Sequence, residues 1–185
     1  MAELDLEQQV VAISARLTAC GIPHALGGAL AYNFYGVPRN TGDIDFNVFL
    51  SHEDGARTFA CLSALAIDSS DGAAAAQLAR EWQTRFSWQG RPIDLFFAYH
   101  AFHDSCRGRV HPVLFAGSPI DILSAEDLVV FKVIFNRTRD WADIERVVAT
   151  QGAAFDLEYA LRWLDCILGE DDSRRARLVA LRAST

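Results

Sequence analysis

Gly27-Gly28, followed after fourteen residues by Asp43-Ile44-Asp45, constrains this 185-residue chain more than any other feature. A strand alternates its faces, so Asp43 and Asp45 point one way while Ile44, Phe46 and Val48 point into a core. Two carboxylates then share one small volume, where their repulsion is costly without a cation. Hard oxygen ligands select Mg²⁺ or Mn²⁺ over zinc. Before the glycines, residues 23–26 read as a short strand. After them, Ala29 to Tyr35 reads as a helix ending at Gly36. In the resulting order of strand, glycine turn, helix, loop and strand, the bare amides at Gly27 and Gly28 can approach a phosphate. Each half alone is weak, because glycines punctuate turns and an Asp-x-Asp often lines a solvated strand face.

Taken together, Leu26-Gly27-Gly28 and Asp43-Ile44-Asp45 resemble the signature of the polymerase-beta-like nucleotidyltransferases. The stretch between them, from Tyr35 to Gly42, is similar to the branch that holds the AbiEii-type toxins of type IV toxin-antitoxin systems. The wider family also includes enzymes that inactivate aminoglycosides and lincosamides. The resemblance covers residues 22–50 and 124–145 and is thin elsewhere. It implies an α/β (α+β) fold: a small mixed sheet flanked by helices, with a helical C-terminal part. On this reading residues 1–118 form the core and 119–185 the helical part, packed as one compact unit. The implied activity moves a nucleoside monophosphate from a nucleoside triphosphate to an acceptor hydroxyl, with Mg²⁺ or Mn²⁺ held by Asp43 and Asp45.

Such a site needs a third carboxylate on a neighbouring strand. In Arg91-Pro92-Ile93-Asp94-Leu95-Phe96-Phe97, residues Ile93, Leu95 and Phe97 share one face and Asp94 lies on the other. The resemblance gives Asp94 the roles of metal ligand and base, and the bland alternative is an edge-strand acid that meets water. Lys132, the chain's single lysine, lies in a run apolar on every side, Leu128 to Phe135, where a charged stem must snorkel out or meet an anion. Ser124 looks like the cap that opens this helix and Asn136 marks its end. By resemblance Lys132 contacts nucleotide phosphates. Gly27 and Gly28 lie near the same phosphates, Arg39 and Thr41 contact the triphosphate or the acceptor, and Asp143 joins the nucleotide-binding set, although turn chemistry alone explains residues 40–42. AbiEii-type toxins carry a Lys followed by Arg and Asp-x-x-Asp. This chain offers Lys132, Arg137, Arg139, Asp140 and Asp143 at shorter spacing, and the two acids equally suit a helix cap.

The N-terminal region reads as a helix from Leu4 to Ala19. Helical pieces follow around His52 to Ile67 and Gly72 to Trp82. A hairpin joins Thr84–Trp88 to Arg91–Tyr99 across Gln89-Gly90, a further strand covers Val110–Phe115, and everything beyond Ala125 reads as helix. No run of eighteen apolar residues occurs and the opening Met1-Ala2-Glu3-Leu4-Asp5 is acidic, which supports neither a membrane span nor a signal peptide. Cys20, Cys61, Cys106 and Cys166 lie far apart without Cys-x-x-Cys, so free thiols and a cytoplasmic location are expected. His100, His103, Cys106 and His111 have the side chains for zinc but no closed-module spacing, and no Gly-x-Ser-x-Gly elbow supports a serine hydrolase.

The acceptor divides the readings. An AbiEii-like toxin would act on tRNA and have a cognate antitoxin as partner, and Arg174, Arg175, Arg177 and Arg182 on the last helix could form the basic patch it needs. The net charge of −7 instead suits a cationic small molecule such as an aminoglycoside. A third reading is a non-catalytic, nucleotidyltransferase-like binding partner.

Overall fold

A computed structural model describes residues 3–67 and 72–183. Met1 and Ala2 of the acidic opening, and the last two residues of the C-terminal helical reading, lie outside them. The chain divides into two units: Met1–Leu30 with Asn40–Leu123, and Ala31–Arg39 with Ser124–Thr185.

The first unit opens with helix α1 (Leu6–Ala19), started by a capping box between Asp5 and Gln8. Strand β1 (His24–Leu26) follows, and the short helix α2 begins at Gly28. Next come β2 (Ile44–Ser51), α3 (Gly55–Ser63) and α4 (Gly72–Glu81). The unit closes with β3 (Gln83–Trp88), β4 (Arg91–Ala98), α5 (Ala101–Arg107), β5 (His111–Phe115) and β6 (Ser118–Ile122). The strands form one six-stranded mixed sheet in the order β3-β4-β2-β1-β6-β5. Within it β2 runs parallel to β4 and β1 to β6, while the other neighbours are antiparallel.

Register on the core face follows from alternation. Ile44, Phe46 and Val48 lie opposite Ile93, Leu95 and Phe97, and all six are fully buried. Thr84 and Phe86 of β3 extend the same face, opposite Leu95 and Ile93. A slip of one residue would turn this whole set outward, so the register of the opposite face, where the acids lie, is fixed by hydrophobic packing. Gln89-Gly90 and Ala116-Gly117, all with positive φ, make the tight turns of the two hairpins. The second hairpin contains β6, a strand beyond those the sequence analysis names.

Two expectations are corrected. Helix α2 spans Gly28–Tyr32 and does not reach Tyr35, because the Asn33 side chain closes the following loop on itself. Its Nδ2 donates to Arg39 O at 3.0 Å and its Oδ1 accepts from Arg39 N–H at 3.0 Å, bonds that compete with helix continuation. Cys20 and Cys61 are not free thiols: they form a disulfide, with Cα atoms 6.3 Å apart. Arg16 Nε donates to Cys61 O and Arg57 Nη2 to Cys20 O, both at 2.9 Å, so the end of α1 and helix α3 are tied together independently of the sulfurs. Sequence separation carried no information about that proximity, and the cysteine count no longer argues for a reducing compartment. Cys106 and Cys166 remain as thiols. No helix among the described residues is long and apolar enough to cross a membrane.

In the second unit the helices are α6 (Ala125–Phe135), α7 (Thr138–Gln151), α8 (Leu157–Leu168) and α9 (Ser173–Ala183). Ser124 caps α6, its Oγ accepting from Asp127 N–H, and Asn136 ends the helix in the left-handed conformation at φ 55°. Asp127 accepts hydrogen bonds from the Ser124 and Tyr159 hydroxyls at 2.7 and 2.6 Å, which joins α6 to α8 in a buried polar network.

Denatured, unreduced protein is expected to titrate with two thiols per chain. Closing a loop of 41 residues stabilises by about 3–4 kcal/mol, so Cys20→Ser should lose that amount in urea melts of the oxidised protein.

Candidate active site

The first unit's polar sheet face carries one row of three charged residues. Asp45 on β2 lies opposite Asp94 on β4, and Asp94 lies opposite Arg85 on β3. Like charges directly opposite destabilise a sheet, and Arg85 answers them. Its Nε donates to Asp94 Oδ1 at 2.7 Å and its Nη2 to Oδ2 at 2.6 Å, so both oxygens of Asp94 are engaged. The bonds to Asp94 raise the Arg85 pKa above its ordinary value, partial burial works against them, and the Asp43 and Asp45 charges add to the rise. All three acids expected from the sequence thus act on one guanidinium.

The glycine pair has a local role that the motif alone does not reveal. Gly27 N–H donates to Asp45 O at 2.8 Å, so this amide is already spent on the sheet. Gly28 has φ +55°, and a Cβ there would sit 1.9 Å from Asp45 Oδ2. Only glycine lets the carboxylate of Asp45 lie against the turn. A Cβ on Gly27 would likewise lie 2.5 Å from Asn47 Nδ2. Thr41 Oγ1 accepts from Asp43 N–H at 3.3 Å, the turn chemistry that positions the first acid at the mouth of β2.

The carboxylate oxygens have the hardness that Mg²⁺ or Mn²⁺ prefers. Yet among the described residues no three His, Cys, Asp or Glu side chains are gathered closely enough to hold a metal ion. The same finding tells against zinc at the histidines. His100 Nδ1 accepts from Phe102 N–H at 3.1 Å as the cap of α5, His103 is buried with its Nδ1 3.1 Å from His100 O, and His111 is exposed.

The second unit holds the other expected residues. Lys132 meets an anion as its apolar setting requires, and that anion is Asp143: Nζ donates to Oδ2 at 2.7 Å, with side chains 6% and 2% exposed. Arg39 binds the same carboxylate through Nε at 3.0 Å and Nη2 at 2.8 Å. Both cations lie over the Tyr32 ring, 5.6 Å and 5.7 Å from its centroid. Asp140 lies 3.7 Å from Lys132 Nζ but serves α7, accepting from Arg137 N–H at 3.1 Å and from the Arg137 guanidinium at 2.6 and 3.1 Å. The two acids therefore differ, Asp140 being a cap and Asp143 an ion-pair hub. Arg139 is exposed. Burial pushes the Asp143 carboxyl up, and the hydrogen bonds from Arg39 and Lys132 outweigh it, holding the group below the ordinary carboxylate range.

Most of the expected basic patch is engaged within the unit. Arg174 binds Asp172 at 2.9 and 2.7 Å and reaches Ile134 O, Arg175 pairs with Asp165, and the Arg177 guanidinium lies 4.0 Å from the Trp141 ring centroid.

Comparison with known proteins places the fold. No family model and no curated protein matches the sequence. Solved structures do match. The crystal structure of ANT(2'')-Ia in complex with adenylyl-2''-tobramycin aligns with TM-score 0.58 at 16% identity, over 93% of this chain and 97% of that one. The solution structure of ANT(2'')-Ia, described as an antibiotic-resistance factor, aligns with TM-score 0.56 at 14% identity, over 97% and 92%. The chain has a nucleotidyltransferase-like fold. In it the mixed sheet flanked by helices agrees with the expected fold class.

Sequence reasoning missed Arg85. Its signal lay in the hairpin: a two-residue turn at Gln89-Gly90 pairs Trp88 with Arg91 and so, counting back, Arg85 with Asp94.

Gly28→Ala should destabilise the protein by about 1–2 kcal/mol from the left-handed backbone alone, measured by urea unfolding, and displace Asp45 as well. Asp143→Ala should cost about 3 kcal/mol, because it leaves Lys132 buried without its close partner. A carboxyl held low when folded stabilises above its unfolded value and loses that contribution as pH falls through the folded one. The stability gap between wild type and Asp143→Asn should therefore be widest near neutrality and close as pH falls below about 4.

Proposed function

We propose that this protein is a metal-dependent nucleotidyltransferase whose acceptor is a cationic small molecule bearing a hydroxyl. The observation that carries the reading is the pairing of Asp45 with Asp94 on adjacent parallel strands, with Gly28 opened to seat Asp45 and Asp43 two residues upstream. Like charges placed directly opposite cost a sheet stability, and a divalent ion offsets that repulsion more fully than the single charge of Arg85 on Asp94.

Asp43 and Asp45 would hold a divalent ion, with Asp94 joining them only once the three side chains close on it, since they are not gathered closely enough in this structure. When bound, that ion neutralises phosphate charge and lowers the pKa of a nearby hydroxyl. The chain's own residues supply orientation and proton transfer. Asp94 takes the proton of the acceptor hydroxyl, whose oxygen forms a bond to the α phosphorus of the nucleoside triphosphate. The bond from that phosphorus to the bridging oxygen breaks, and pyrophosphate leaves with its electron pair. Thr41 holds Asp43 in place, its side-chain Oγ1 accepting from the Asp43 backbone N–H.

Charge favours a cationic acceptor. Residues 1–30 and 40–123 carry thirteen carboxylates against seven arginines, while the other unit carries eleven against ten cations. The acid row's unit thus holds six of the seven excess negative charges. A polycation is drawn to such a surface and a tRNA repelled by it. With three C-terminal arginines committed to internal partners, the basic patch that tRNA needs has little left to offer. ANT(2'')-Ia, solved with an adenylylated tobramycin, offers the precedent for an aminoglycoside.

Incubation with each labelled nucleoside triphosphate, Mg²⁺ and either an aminoglycoside panel or total tRNA tests this. Label is expected on an aminoglycoside and absent from tRNA. Asp43→Ala and Asp45→Ala should each lower turnover at least about 100-fold with cooperative unfolding retained. Label on tRNA would reverse the acceptor assignment, and undiminished turnover in Asp45→Ala would remove the mechanism.

A further inference from the structure

We propose that Arg85 is a built-in counter-ion that competes with the divalent metal for Asp94, so that metal loading and the Arg85–Asp94 ion pair exclude one another. This inference rests on the metal-dependent reading above and adds a residue to it. Three observations carry it. Arg85, Asp94 and Asp45 occupy one row across three neighbouring strands, in a register that the core face fixes. The guanidinium takes both oxygens of Asp94, at 2.7 and 2.6 Å, so a metal approaching that carboxylate meets a cation already seated on each oxygen. Finally, Arg85 is 57% exposed on an edge strand whereas Asp94 is 16% exposed. The cation can therefore swing into water without disturbing the core while the carboxylate stays, which is the asymmetry that exchange requires.

The pair supplies a cation to the row when no metal is bound, relieving repulsion between Asp45 and Asp94. An incoming ion with two positive charges offsets that repulsion more fully and needs the same oxygens. Loading then depends on breaking a half-exposed ion pair, a modest barrier that a single substitution removes.

Mn²⁺ titration of the full-length protein, followed by electron paramagnetic resonance of the free ion, reads this without turnover. Arg85→Gln should bind Mn²⁺ about three- to fivefold more tightly than wild type, the equivalent of an exposed ion pair released. Arg85→Lys, which keeps the charge but loses the fork, should fall between them. In an Asp94→Asn background, Arg85→Gln should leave Mn²⁺ affinity unchanged. Thermal melts give a second readout: in chelator Arg85→Gln should melt below wild type, and saturating Mn²⁺ should raise its melting temperature by more. If Arg85→Gln binds Mn²⁺ no better than wild type while Asp94→Asn binds it worse, the competition is overturned and the metal reading stands. If neither wild type nor Arg85→Gln binds Mn²⁺ while both melt cooperatively, the metal reading fails and this inference fails with it.

Discussion

Repulsion between Asp45 and Asp94 is the constraint to which the first unit's polar face is built. The two acids cannot move apart, because the other face of the same strands locks Ile44, Phe46 and Val48 against Ile93, Leu95 and Phe97. Relief by a register slip would expose that set to water at a cost of roughly 2 kcal/mol per side chain. What remains is a cation, and β3 brings one in the same row. Gly28 completes the arrangement from the other flank, since any side chain there would displace the Asp45 carboxylate. A guanidinium on one side and a bare turn on the other together confine two negative charges to one small patch of sheet.

The second unit poses a related problem and solves it differently. Helix α6 is apolar on every side, with Leu128 to Val133 all buried, and Lys132 falls within that run. A buried ammonium is tolerated only with a well-placed anion, and Asp143 of α7 provides it. Asp143 also receives Arg39, which the Asn33 loop holds and the Tyr32 ring faces. One carboxylate thereby fastens residues 31–39 to α6 and α7 within the second unit.

How much of this could be read from the sequence depended on the range of the interaction. Alternation placed Asp94 opposite the core face of its strand, and the Gln89-Gly90 turn fixed its hairpin, because both are local. The same turn fixes the partner of Asp94 by counting, since Trp88 opposite Arg91 sets Arg85 opposite Asp94. Lys132 signalled an anion through its surroundings, but nothing in the spacing singled out Asp143 over Asp140, since that depends on which acid the first turn of α7 uses as its cap. The disulfide and the early end of α2 escaped entirely. Both depend on contacts that close in space, one across 41 residues and one through a side chain folding back on its own loop.

Exposure separates the two ion pairs in kind. Lys132 and Asp143 are 6% and 2% exposed, so separating them strands a charge in a dry interior, and the pair behaves as part of the framework. Arg85 is 57% exposed, so separating it from Asp94 returns a guanidinium to water at little cost. Bidentate geometry is common to Arg85 on Asp94 and Arg39 on Asp143, so hydrogen-bond count alone does not distinguish a replaceable partner from a permanent one. The difference lies in where each cation goes when released. Arg39, 31% exposed and facing Tyr32, gives up a ring contact and leaves a buried carboxylate beside the single remaining close donor, Lys132. Arg85 leaves behind a carboxylate beside a second carboxylate, which is the electrostatic demand that a divalent ion meets best.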